Sequence, residues 1–148
     1  MTMKVTNAFQ IIITDKFTQS RAFYKKLGFE PVFDGEWYCQ LVWPSAPSVQ
    51  LGLMKPGHET QPDIFQAATV GEGTVLSLEV DEANDAAETL RKAGFEFALE
   101  VRDEPWGQRH FALLDPNGVR IDIFSPTAEL SPEYAQQFKE TGNETVMA

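Results

Sequence analysis

His110 and Asp122 are the side chains best placed for chemistry. They lie on either side of a turn in the run Glu104–Pro126, EPWGQRHFALLDPNGVRIDIFSP. Phe111 and Leu113 alternate with His110, Ala112 and Leu114. After the turn, Val119, Ile121 and Ile123 alternate with Arg120, Asp122 and Phe124. Period two marks strands with two unlike faces. Asp115-Pro116-Asn117-Gly118 supplies the turn, because Pro presets φ and Asn and Gly tolerate positive φ. The hairpin therefore predicts His110 and Asp122 on one face of adjacent strands. An imidazole beside a carboxylate can join a divalent-metal site or form a hydrogen-bonded pocket pair. Asp122 alone does not hold an ion, so the second reading is the simpler.

Other reactive types carry less. Glu79 and Asp122 are a formal acid–base pair, but nothing in the sequence fixes their separation. Cys39 shares strand parity with Trp37 and Leu41 and is expected to be buried and inert. His58 falls in a polar connector and is expected to be exposed. Trp43 reads as core, whereas Trp106, in a turn beside Gly107, is expected at the edge of a cleft. Phosphate-binding glycine loops, HExxH and GxSxG are absent.

The elements that position these groups can be read in order. Ala8–Thr14 is a β-branched strand. Phe17–Leu27 is a helix, with Phe23 and Leu27 on one face and Gly28 as its cap. Phe29–Phe33, Glu36–Trp43 and Val49–Met54 are strands separated by turns at Asp34-Gly35 and Pro44–Pro47. Pro56–Val70 is a polar connector. Thr74–Val80 is a strand, and Ala83–Ala93 a helix with Ala86, Leu90 and Ala93 on one stripe. Phe95–Val101 is a strand, and the hairpin follows. Ser131-Pro132-Glu133 starts a tail helix over about 131–140, with Tyr134 and Phe138 as its apolar pair.

Composition bounds the rest. The 148 residues, 43% hydrophobic, suit one globular domain with a sizeable core. A net charge of −10 argues against nucleic acid as a partner and is compatible with a cationic ligand. One cysteine permits no disulfide within the chain. Neither a signal peptide nor a membrane span is read, so a cytoplasmic setting with no membrane partner is expected. Asn143-Glu144-Thr145 matches a glycosylation sequon, which has no meaning without secretion.

The order β-α-β-β-β occurs twice. With Pro44 set on Pro116, Leu41 falls on Leu113, Gln50 on Asp122 and Leu51 on Ile123. Leu27-Gly28-Phe29 falls on Ala93-Gly94-Phe95. The expected fold is α+β: two βαβββ modules forming paired curved mixed sheets around a shared cavity, plus a short C-terminal helix. Module one covers about 5–55, the connector 56–72 and module two 73–128. Strand parity places Gln10, Ile12, Tyr38, Gln40, Gln50, Met54, Ser77, Glu79, His110, Asp122 and Phe124 on the inward faces.

Ile13-Thr14-Asp15 with Arg21–Phe29, and the run Pro105–Gly118, resemble the vicinal oxygen chelate superfamily: glyoxalase I, extradiol dioxygenases, fosfomycin resistance enzymes and bleomycin resistance proteins. The second run is most similar to the bleomycin resistance proteins. The resemblance covers roughly residues 5–128 and implies a homodimer with shared clefts. It also implies a divalent metal held by His, Glu or Gln on the first and last strands of each module. Those positions fall here on Ala8 and Gln50, and on Val75 and Asp122. Ala8 and Val75 offer no donor, so no metal and no other cofactor is expected.

The leading expectation is metal-free sequestration of a cationic or aromatic, antibiotic-like small molecule in a dimer cleft. Tyr38, Gln40, Gln50, Glu79, Trp106, His110, Asp122 and Phe124 are its candidate ligand-binding residues, and no catalytic residue is assigned. One alternative is a metal-dependent lyase or dioxygenase using His110, Asp122 and Gln50. Another is a protein-interaction module on the same scaffold.

Overall fold

The computed structural model describes residues 2–138, 140–141 and 144–145. They form two compact units. One contains the residues up to Thr74 together with Asp115–Val119, and the other Val75–Leu114 and the residues from Arg120 on.

The first unit runs β1 (Gln10–Ile13), α1 (Phe17–Leu27), β2 (Glu30–Asp34), β3 (Tyr38–Trp43) and β4 (Ala46–Met54). Its sheet has the order β1-β4-β3-β2, with β1 parallel to β4 and the other pairs antiparallel. The second unit runs β5 (Val75–Glu79), α2 (Ala83–Lys92), β6 (Leu99–Glu104), β7 (Trp106–Leu114) and β8 (Arg120–Leu130). Its order, β5-β8-β7-β6 with β5 parallel to β8, repeats the first. The class is α+β, two four-stranded mixed sheets each with its own helix. A one-turn helix, α3 (Pro132–Ala135), follows. Beyond it Glu140–Thr141 pairs antiparallel with Glu144–Thr145. Among the described residues no helix is long and apolar enough to cross a membrane.

Each sheet is apolar on one face. Phe111, Leu113, Ile121 and Ile123 are no more than 3% exposed. Burying each such side chain contributes roughly 1.5–3 kcal/mol of transfer free energy. Cys39, Leu41, Leu51 and Leu53 do the same in the first unit. Burial, with the Asp34 charge adding, pushes the Cys39 thiol up to about 11, so it carries no thiolate near neutrality.

The helices explain their own limits. In α1 the buried stripe is Phe17, Ser20, Tyr24 and Leu27, and Phe23 sits at its margin. The helix stops at Gly28, whose φ is +137°. A Cβ there would lie 2.4 Å from the Trp43 ring, so two independent reasons require glycine. Trp43, expected in the core, is half-buried and packs edge-on against the buried Phe29 at 5.2 Å. In α2 the buried stripe is Ala83, Ala87 and Leu90 rather than Ala86, Leu90 and Ala93, because Ala93 is already the exposed C-cap.

Other boundaries also move. The strand expected over Phe95–Val101 begins only at Leu99 and continues to Glu104. Phe95 N–H instead bonds the Leu90 carbonyl, closing α2. Strand β8 runs on past Pro126 to Leu130. The tail helix is shorter than 131–140, and the Ser131 side chain makes no cap bond. Asn143 of the sequon lies outside the described residues.

The Asp115–Gly118 turn is a structural hub of the first unit. The Asp115 carboxylate, 5% exposed, accepts the Tyr24 hydroxyl at 2.7 Å and the backbone N–H groups of Asn117 and Val119 at 2.8 and 2.9 Å. The Asn117 amide donates to Ser20 Oγ at 3.0 Å and accepts from Thr14 Oγ1 at 2.5 Å. Burial, then Asp115, holds the Tyr24 phenol well above its usual range, so it stays a donor. Gly71 completes the hub: a Cβ would fall 1.8 Å from the Asn117 carbonyl oxygen.

Candidate functional site

The second face of each sheet carries the polar side chains. In the second unit Ser77 pairs Asp122, Glu79 pairs Phe124, Phe124 pairs His110 and His110 pairs Arg102. Cross-strand partners share a face, so Arg102, Glu104, His110, Asp122, Phe124, Ser77 and Glu79 lie together. The alternation that buries Phe111 and Ile123 turns His110 and Asp122 the other way.

These groups form an ionic chain. His110 Nδ1 is 2.7 Å from Asp122 Oδ1, and its Nε2 is 2.8 Å from Glu104 Oε2. Arg102 Nε donates to the same Glu104 oxygen at 2.9 Å. Ser77 Oγ donates to Asp122 Oδ2 at 3.1 Å. The side chains of His110, Glu104 and Asp122 are 13%, 11% and 19% exposed. A carboxylate only accepts, and a neutral imidazole has one N–H. Both short contacts are satisfied together only when the ring is an imidazolium. Burial alone lowers the imidazole pKa and is the largest single influence. The hydrogen bonds and charges of Glu104 and Asp122 together outweigh it and hold the ring above its ordinary 6.5.

Trp106 borders this chain. Its indole N–H donates to Gln108 Oε1 at 3.1 Å, and its ring meets His110 edge-on at 6.3 Å and Tyr134 at 6.1 Å. It is the first residue of β7, half-buried, not a turn residue. Gly107, with φ +91°, makes the irregularity that aims it.

The corresponding face of the first unit is neutral. Tyr38 pairs Met54, Gln40 pairs Gly52 and Val42 pairs Gln50. The Tyr38 hydroxyl donates to Gln40 Oε1. Gln40 Nε2 donates to Gln50 Oε1 at 2.9 Å, and Gln50 Nε2 to the Pro47 carbonyl at 3.1 Å. Burial raises the Tyr38 phenol, with Cys39 adding, so it remains a donor. A Cβ on Gly52 would lie 2.6 Å from the Tyr38 hydroxyl, so glycine leaves room for the ring.

Two expected placements are corrected. Gln10 and Ile12 pair Leu51 and Leu53, so they share the helix-packed face, and Ile11 and Ile13 take the other. His58 is half-buried rather than exposed, stacked on Trp37 at 4.0 Å with Nδ1 against Thr60 Oγ1 at 2.8 Å. The sequence reading also missed Glu104 as a partner of His110, and Arg102 as the partner of Glu104. Pro105 between two alternating runs marks the turn that pairs them. An open cleft of about 430 Å³ in the second unit, lined by Asp103, Glu104, Pro105, Arg109, Thr127, Ala128 and Glu129, was not foreseen either. Arg109 lies there in a two-pronged pair with Asp103, at 2.6 and 3.0 Å.

The donor set does not fit a divalent metal. Ala8 and Val75 are exposed and have no donor atom. The Gln50 amide is engaged by Gln40 and Pro47. Both His110 nitrogens face carboxylates at hydrogen-bond distance, leaving no lone pair for an ion. Among the described residues no group of three or more His, Cys, Asp or Glu side chains is arranged around one metal position.

A family model for the glyoxalase/bleomycin resistance protein/dioxygenase superfamily matches residues 6–123. No curated protein matches the chain by sequence. Among solved structures, a glyoxalase/bleomycin resistance protein/dioxygenase from Nocardioides is similar with a TM-score of 0.74 and 21% identity, over 96% of this chain and 93% of that one. A bleomycin resistance determinant encoded on the transposon Tn5 has a TM-score of 0.61 and 18% identity, over 82% and 98%. A bleomycin-binding protein complexed with bleomycin has a TM-score of 0.57 and 18% identity, over 82% and 98%. At these identities the structures speak for the fold.

Proposed function

The chain belongs to the glyoxalase/bleomycin resistance protein/dioxygenase superfamily, and from that premise we propose that it binds a cationic aromatic small molecule without a metal and without chemical turnover. The observation that carries this reading is the ionic chain at His110. At the four positions where the superfamily's metal ligands would fall, this chain has Ala8, Gln50, Val75 and Asp122, and the neighbouring His110 imidazole is closed on both nitrogens by Glu104 and Asp122. Carboxylates at Asp122, Glu104 and Glu79 would face the ligand's positive charge. Trp106 and Phe124 would face its ring. The bleomycin-binding neighbour supports a small molecule as the ligand class.

Sequestration acts by mass action, so protection requires protein at or above the ligand concentration. Apolar side chains left open on the sheets, Phe33 at 59%, Val75 at 57% and Leu114 at 46% exposed, support a homodimer. Sedimentation equilibrium should then report twice 16.6 kDa; a monomer at working concentrations removes the dimer from the reading. The function is tested by dialysis against bleomycin and a panel of planar aromatic cations, with recovered ligand weighed by mass spectrometry. Saturable binding with unchanged mass is expected, and catalytic conversion of any bound ligand overturns the proposal.

A further inference from the structure

The ionic chain of the second unit has a closed form. Asp122 and Glu104, two of the three carboxylates offered to a cationic ligand, already hold a cation, the His110 ring, at 2.7 and 2.8 Å. We propose that His110 is a built-in competitor, so that capture of a cationic ligand at this face requires His110 to give up one proton to solvent. This rests on the binding reading above and adds its regulation.

The charges around the ring make the exchange one-sided. From β6, Glu104 faces Nε2 and is also held by Arg102 at 2.9 Å. From β8, Asp122 faces Nδ1, and among the described residues its other oxygen is met by the Ser77 hydroxyl of β5 at 3.1 Å. Glu79 of β5 and Phe124 of β8 lie in the His110 row, and Trp106 of β7 meets the ring by its edge. With the imidazolium in place, Arg102, Glu104, His110 and Asp122 sum to zero charge, and an incoming cation meets a like charge. A neutral ring keeps one N–H. Glu104, with Arg102, remains paired in either case, so Asp122 is the carboxylate released. The released proton goes to buffer and the ligand's donor takes the vacated Asp122 oxygen; no covalent bond to carbon changes. The raised His110 pKa accords with this, because the proton to be displaced is held more firmly than usual.

The probe is benzamidine, a planar aromatic cation whose charge is constant from about pH 6 to pH 9, with neutral benzamide as its control. In wild type, affinity for benzamidine should climb about tenfold per pH unit while His110 is protonated, then level off. Calorimetry in two buffers of different ionisation enthalpy should count close to one proton released per ligand below that plateau. His110→Gln cannot be protonated. It should bind at least tenfold more tightly than wild type near pH 6 and converge with it near pH 9. A stable wild-type protein that binds benzamidine with no proton release and a flat pH profile overturns the inference and leaves the binding reading standing. Weaker binding by a folded His110→Gln variant at low pH overturns it as well. Equal binding of benzamide and benzamidine removes the charge from both. Chemical conversion of the probe, or no planar cation bound at any pH, overturns the binding reading itself and the inference with it.

Discussion

The polar faces of the two sheets share a backbone plan and differ in chemistry. Gln50 on β4 and Asp122 on β8 each precede a buried residue, Leu51 or Ile123, on the strand parallel to the first strand of its unit. Around Gln50 the partners are an amide and a phenol, and the chain Tyr38–Gln40–Gln50–Pro47 is satisfied with no net charge. Around Asp122 the partners are an imidazole, a second carboxylate and an arginine, and the contacts close only with a proton on His110. A neutral chain is indifferent to pH near neutrality. An ionic chain is set by it. The same topology therefore gives one inert wall and one responsive wall.

The first way to test this contrast is to damage what neither wall supplies. Asp115→Ala strands the Tyr24 hydroxyl and two backbone N–H groups in a buried turn. It should cost about 3–5 kcal/mol, more than any change on either face. The midpoint of urea unfolding measures it, and a loss under about 1 kcal/mol would move the hub elsewhere. Next comes Asp122→Ala, which leaves the Nδ1 side of His110 without a counter-charge in a half-buried site. A loss of about 1–3 kcal/mol is expected, accompanied by a lower His110 pKa in an NMR titration; an unchanged pKa would mean that the pair is incidental.

His110→Gln sharpens the contrast by its pH dependence. The folded-state pKa of His110 lies above the unfolded 6.5. The stability this confers is fully present below about pH 6.5 and is lost as pH rises through the raised folded value. The difference between wild type and variant should thus be widest in mild acid and shrink on the alkaline side. A difference that widens with pH would reverse the assigned charge. Gln50→Ala should have the smallest effect, about 0.5–1.5 kcal/mol with no pH dependence between about pH 5 and pH 9. A pH-dependent effect there would end the distinction between the walls.

Much of this arrangement was legible in the chain because alternation was clean where it mattered. Phe111, Leu113, Ile121 and Ile123 fix the phase of the hairpin, and His110 and Asp122 follow. The repeat was legible for a related reason: Leu41 and Leu113, and Leu51 and Ile123, keep parity across the spacing between Pro44 and Pro116. The phase failed in β1, where Ile11, Ile12 and Ile13 in succession offer no alternation. Pairing with Leu51 and Leu53, a non-local fact, decides which side Gln10 and Ile12 take. Glu104 was missed because the register of β6 against β7 shifts between Leu99 and Arg102. A bulge changes which residues face each other without leaving a strong mark in composition. The stack of His58 on Trp37 is likewise a tertiary contact with no local signal.

The most direct measurement is calorimetric titration of chelator-treated protein with zinc, nickel, manganese and, under anaerobic conditions, ferrous iron. A chain with Ala8 and Val75 at two of the family's four ligand positions, and whose site histidine is closed by two carboxylates, should show no stoichiometric uptake of any of them. Stoichiometric binding at micromolar affinity or tighter, abolished by His110→Ala, would contradict the account and make the second unit a metal centre.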